Sequence, residues 1–159
     1  MTNLRRRLLP VLLLVLAAFT VVRADEEPDN RFVDWLSYNE ALATGQGRQV
    51  PILLHFMAGW SDAHRRMMRE TYTDPKVVRY LNENFAVAQV DIERLPSLAK
   101  KFKVESVPTV WFLDADGRPL TAVNGEVGPE KMLRITEYVN KKIYLHTDYQ
   151  TWLDKRRGR

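Results

Sequence analysis

The chain of 159 residues contains no cysteine. That absence removes disulfide bonds, thiolate nucleophiles and thiolate metal ligands together. Glycine is sparse, at seven residues, and no glycine-rich oxyanion segment follows any candidate nucleophile. No segment repeats, and none is of low complexity. Net charge is also missing from most of the chain. The formal value is +4, but Arg5, Arg6, Arg7 and Arg23 all precede the first acidic residue, Asp25. Residues 25–159 therefore carry 20 charges of each sign. Four of the positive ones sit in the last five residues, Lys155-Arg156-Arg157-Gly158-Arg159, so the rest is slightly acidic. A nucleic-acid-binding domain needs a basic face on its folded part. Nothing here supplies one.

What is present begins with a leader. Three arginines precede Leu8 to Val22, a run without charge, and Val22 and Ala24 give a small-residue cleavage pattern. Residues 1–24 read as a secretory signal peptide. The apolar run is 15 residues, short of the ~20 that span a bilayer, so membrane attachment would need this segment to stay uncleaved. Residues 25–31 are acidic and polar and read as a flexible N-terminus. An exported chain enters an oxidising space where disulfides are permitted, and this one uses none. About 135 residues can bury a sufficient core without them.

Phe32, Trp35, Leu36, Ala41 and Leu42 suggest an amphipathic helix ending near Gly45 and Gly47. Val50 to Met57, VPILLHFM, reads as a strand buried on both faces. Ser61 or Asp62 caps a helix covering His64 to Glu70. Asp74-Pro75 opens another, running to about Asn84. Ala86 to Ile92 is a second strand, Pro96 to Phe102 a short helix, and Pro108 to Leu113 a third strand. Asp114 to Gly117 is a hairpin turn with glycine at the position needing positive φ. Pro119 to Val123 returns as an edge strand. Gly128-Pro129 opens a closing helix that buries Met132, Leu133, Ile135, Tyr138, Val139 and Ile143. Residues 144–159 form an extension with a short helix and a basic tail. The order predicts an α/β domain: a central mixed sheet flanked by helices, with an N-terminal helix and a C-terminal helical tail.

Four stretches carry a family resemblance. They are VPILLHFMAGW; RRMMRETYTDPKVVRYLNENFAVAQVDI; FKVESVPTVWFLDADGRPL; and NGEVGPEKML. In this order they resemble the thioredoxin-like family, in particular the subgroup with the C-terminal periplasmic domain of the thiol–disulfide interchange protein DsbD. The resemblance covers Val50 to Val139 and implies a thioredoxin fold over residues 32–143, with a Gram-negative periplasm as the compartment; the leader alone says only that the chain is exported, which leaves an extracellular location as the alternative. Where the family keeps its C-x-x-C pair, this chain has Ser61-Asp62-Ala63-His64. A serine cannot form a disulfide and a histidine cannot resolve one, so thiol oxidoreductase activity is excluded by chemistry. His55 stands where thioredoxins often bury an aspartate.

Three readings of Ser61 and His64 remain open. In the first, Ser61 caps the helix, Asp62 favours its positive end, His64 lies exposed on the first turn, and His55 finds a partner in the core. In the second, Ser61 is a nucleophile with His64 or His55 as base. In the third, His55 and His64, with Met57, Met67 or Met68, hold copper or zinc. The resemblance also implies a cis peptide at Val107-Pro108 and use of the Val107 backbone to pair with extended peptides. Trp60, Ser61, Asp62, His64, Val107, Pro108, Asn124 and Gly125 would then form one shallow groove. The expected function is an exported, redox-inactive module that binds a protein or peptide partner, with no cofactor and no catalytic residue. A metal or small-ligand site on His55 and His64 is the alternative.

Overall fold

The computed structural model describes residues 32–158; the signal-peptide and N-terminal readings fall on residues outside it. Five strands form one sheet in the order β1-β3-β2-β4-β5. They are β1 (Trp35–Leu36), β2 (Ile52–Met57), β3 (Ala86–Asp91), β4 (Thr109–Leu113) and β5 (Pro119–Asn124). The pairs β1–β3 and β3–β2 are parallel, whereas β2–β4 and β4–β5 are antiparallel. Helices α1 (Tyr38–Arg48), α2 (Asp62–Glu70), α3 (Pro75–Asn84), α4 (Pro96–Lys101), α5 (Pro129–Asn140) and α6 (Tyr149–Arg157) complete the fold, with a 3-10 turn at Ile143–Leu145.

Strand β2 is central, and Ile52 to Phe56 are fully buried. Side chains alternate between faces along a strand, and the core divides accordingly. Ile52, Leu54 and Phe56 pack with Ala41, Ala88, Val90 and Phe102, under α1 and α4. Leu53, Val110 and Phe112 pack with Met67, Tyr72, Leu81, Met132 and Ile135, under α2, α3 and α5. Each fully buried aliphatic or aromatic side chain contributes roughly 1.5–3 kcal/mol. His55 interrupts the second layer as a buried polar group in the same strand.

The N-terminal expectation needs correction. Trp35 and Leu36 are not helical; they pair in parallel with Val87 and Ala88. The helix starts at Tyr38, behind the N-cap Ser37, which forms a capping box with Glu40. It then passes through both Gly45 and Gly47 and ends at Gln49, which takes a left-handed conformation. Gly45 serves close packing: a Cβ there would lie 2.6 Å from Ile52 Cγ1. Local glycine content signals a stop, but tertiary contact against β2 carries the helix past it.

The β4–β5 hairpin turns as expected, with Gly117 at φ +81° and its N–H donating to Asp114 O. Strand β5 is an edge strand that begins with proline, where the missing N–H costs no ladder bond. The C-terminal segment packs back onto α5. Tyr138 stacks near Tyr149 and Trp152, with ring centroids 5.2 and 5.5 Å away. Arg156 lies over Trp152 and pairs with Glu137.

Candidate functional site

The parallel strands β2 and β3 end at one edge of the sheet, and β4 begins there. After Met57 the chain buries Ala58 and turns through Gly59 and Trp60, with Ser61 N–H donating to Ala58 O. Trp60 is 64% exposed. Ser61 is the N-cap of α2: its hydroxyl accepts from His64 N at 3.2 Å. The same hydroxyl donates to Val107 O at 3.5 Å, the long end of hydrogen bonding. Asp62 is exposed at the first helical position and pairs with Arg65, which also donates to Gly59 O. Arg66 reaches across to Glu126 in the loop after β5.

The opposite wall is stitched from two short segments, residues 106–109 and 124–125. The Val107–Pro108 peptide is cis. Gly125 N–H donates to Pro108 O at 2.8 Å, and the Thr109 hydroxyl lies within hydrogen-bond reach of Ser106 O and Asn124 Oδ1. Val107 is half-buried and precedes the first residue of β4, so its N–H lies outside the sheet ladder. Ser61 and Val107 are thus in contact, and Pro108, Asn124 and Gly125 are held together beside them. Asp62 and Asn124 are exposed on the rim.

His64 departs from the capping reading, which has it exposed. It is 8% exposed, because its ring turns inward toward β2 rather than out along the helix surface. Its Nδ1 lies 3.0 Å from His55 Nε2, and His55 Nδ1 lies 3.1 Å from the Tyr72 hydroxyl. Three side chains from β2, α2 and the α2–α3 break therefore form one polar column inside an apolar layer. Trp35 closes it from the side, with its ring centroid 4.8 Å from that of Tyr72. Burial pushes His55 down to about 3, helped by the neighbouring His64. Burial also lowers His64, with Arg65 acting in the same direction and Asp91 against it. Burial raises the Tyr72 phenol far above its ordinary value. All three groups are neutral at neutral pH.

This geometry bears on the other two readings. A nucleophilic serine needs its base on its hydroxyl, but the Ser61 hydroxyl meets the His64 backbone and Val107 O, while the His64 ring meets His55. A metal needs open donors, yet both His55 nitrogens are engaged and the facing nitrogens share a hydrogen bond. Met67 is buried in the core, and Met68 accepts from Gln89. Among the described residues no group of three or more His, Cys, Asp or Glu is placed to hold a metal ion. Tyr72 has no role in the sequence reading; the only local signal is an aromatic residue inside the Thr71–Asp74 break.

A family model for the thioredoxin-like domain matches residues 38–140, from α1 to the end of α5. The chain belongs to the thioredoxin-like family. The thiol:disulfide interchange protein DsbD of Yersinia pestis (strain Pestoides F) is 35% identical over 85 residues, which are 51% of this chain and 14% of that protein. This chain therefore spans a small part of that relative's length. Among solved structures, the oxidoreductase DsbH superposes with a TM-score of 0.62 at 21% identity, covering 69% of this chain and 85% of that one. The reduced C-terminal domain of Neisseria meningitidis DsbD gives 0.53 at 22% identity, covering 62% and 90%. The thioredoxin fold of this thioredoxin-like chain is present without any cysteine. Among the described residues no helix is long and apolar enough to cross a membrane.

Proposed function

We propose that the protein is an exported, redox-inactive thioredoxin-like module that binds a partner protein or extended peptide through the groove between Trp60 and the Val107–Pro108 step. The observation that carries this reading is the pairing of a 64%-exposed tryptophan with a backbone step outside the sheet ladder. An apolar anchor plus free main-chain groups is enough to hold an extended segment by strand addition, and no thiol takes part. The similarity to DsbD domains supports the same face as the working one, and supports the periplasm as the compartment. Without cysteine the relatives' exchange chemistry is closed to this chain, which leaves binding as the use of the groove.

The test is capture from a periplasmic extract with the mature chain, in the presence and absence of reductant and chelator. A partner retained under all conditions and lost with Trp60→Ala supports the reading. Retention that depends on metal favours the histidine alternative. Insulin reduction above background would overturn the redox-inactive reading.

A further inference from the structure

The hydrogen-bond column fixes where its protons are. The Tyr72 phenol is fully buried, and its proton needs an acceptor there. The acceptor within reach among the described residues is His55 Nδ1, at 3.1 Å. Tyr72 O–H therefore donates to His55 Nδ1. A neutral imidazole carries one proton, so that of His55 is on Nε2. His55 Nε2–H then donates to His64 Nδ1 at 3.0 Å. By the same rule, the single proton of His64 is on its own Nε2. That nitrogen has no partner among the described residues, and no buried side-chain nitrogen or oxygen is left unpaired. It is therefore the end of the column that is not fully buried, on the first turn of the helix whose cap Ser61 binds the His64 backbone N–H and touches Val107 O. The reverse arrangement would strand the Tyr72 proton in the apolar layer with nothing to receive it.

We propose that Tyr72, His55 and His64 form a one-way column of hydrogen bonds that presents His64 Nε2–H to the groove as a fixed donor, and that the groove takes an acceptor oxygen of an extended polypeptide at that point. Tyr72 and His55 are positioning residues that act through His64. The second half of the proposal rests on the peptide-binding reading; the first half does not. A backbone carbonyl or a side-chain amide oxygen fits such a donor, whereas a disulfide sulfur is a poor acceptor. The column thus changes what the groove selects, from sulfur chemistry to oxygen acceptors.

Long-range ¹H–¹⁵N spectra of the histidine rings in the full mature chain at neutral pH decide the first half. Both His55 and His64 are expected to carry their proton on Nε2, with Nδ1 unprotonated. A proton on Nδ1 of either ring overturns the column. In Tyr72→Phe, which keeps the shape of the side chain, His55 Nδ1 is expected to move toward the shift of a free unprotonated nitrogen; no movement would mean that Tyr72 does not donate. Reduced, carboxymethylated α-lactalbumin, an unfolded chain with blocked thiols, probes the second half. Its addition is expected to shift the His64 Nε2–H signal together with those of Trp60 and Val107. Shifts at Trp60 and Val107 alone would overturn the donor role and leave the groove reading standing. No shift at any of the three would overturn the groove reading and the acceptor role together, while the tautomers still decide the column.

Discussion

The two faces of the sheet are built on opposite terms. Under α1 and α4, Ile52, Leu54 and Phe56 pack into an apolar layer with Ala41, Ala88, Val90 and Phe102. Under α2 and α3, the same strand contributes His55, which meets Tyr72, His64 and the ring of Trp35. The first face can only stabilise. The second carries the Tyr72, His55 and His64 side chains, and none of their fully buried nitrogen or oxygen atoms lacks a partner. A buried polar group left without its partner costs about 1–3 kcal/mol, so such a column persists only when it is complete. The difference locates the unusual part of the molecule: it is the layer directly beneath the start of α2, at Ser61 and His64.

The largest effect expected from breaking this comparison is on the apolar face. Phe56→Ala should destabilise the domain by about 3–5 kcal/mol, the usual cost of truncating a fully buried phenylalanine. Urea unfolding followed by tryptophan fluorescence measures it. A loss below about 1 kcal/mol would mean that this layer collapses around the cavity and is less tightly built than its burial suggests.

Acid separates the two faces without mutation. His55 has its pKa lowered to about 3 in the folded chain, against an ordinary value of about 6.5. Above about pH 6.5 both folded and unfolded states are neutral at this residue, and its contribution is complete. As pH falls below that value, the unfolded chain takes up a proton and the folded one does not. Stability should therefore fall by about 1.4 kcal/mol per pH unit from this group alone, continuing toward pH 3. His64 is lowered as well and acts with the same sign. Between pH 6.5 and 5 most carboxylates are still ionised, so this window reports the histidines. The slope should become shallower in His55→Leu. An unchanged slope would place the proton uptake elsewhere.

Tyr72→Phe comes next in size. It removes one hydroxyl and leaves His55 Nδ1 without its donor, at an expected cost of about 1–2 kcal/mol. The matching deletion of a hydroxyl at the half-buried Tyr38, whose partner is the exposed Lys101, should cost much less. Equal losses in the two variants, measured by the same urea titration, would mean that the column contributes little to holding the second face together.

The fold was legible where local chemistry and tertiary packing agree. VPILLHFM is a continuous apolar run of strand length, too short for a buried helix, with Gly47 and Gly59 on either side. Asp74-Pro75 marks a helix start whatever surrounds it, and Asp74 indeed accepts from Lys76 and Val77 N–H. Trp35 and Leu36 were not legible, because a two-residue strand exists only through its neighbour β3 and has no period of its own. The candidate site divides in the same way. Ser61 and the Val107–Pro108 step follow from the resemblance and the capping rules. The inward turn of His64 does not, since it depends on a tyrosine eight positions later and a histidine nine positions earlier meeting across the α2 turn. Side chains on a helix's first turn can point to solvent or to the sheet, and only the buried partner, here His55, decides.

The smallest expected change in stability is at Trp60. Its side chain is 64% exposed and stands outside both core layers. Surface substitutions away from caps and buried networks usually fall within about 0.5 kcal/mol, so Trp60→Ala should leave the urea midpoint nearly unchanged. The same variant should lose most of its affinity for an extended polypeptide, because a large aromatic anchor carries a disproportionate share of a small interface. This separation of effects is what distinguishes the groove from the column below it. Tyr72 and His55 should register in stability and in histidine tautomer; Trp60 should register in binding and hardly in stability. If Trp60→Ala instead lowers stability by 2 kcal/mol or more, the tryptophan shields the end of α2 and the groove loses its anchor.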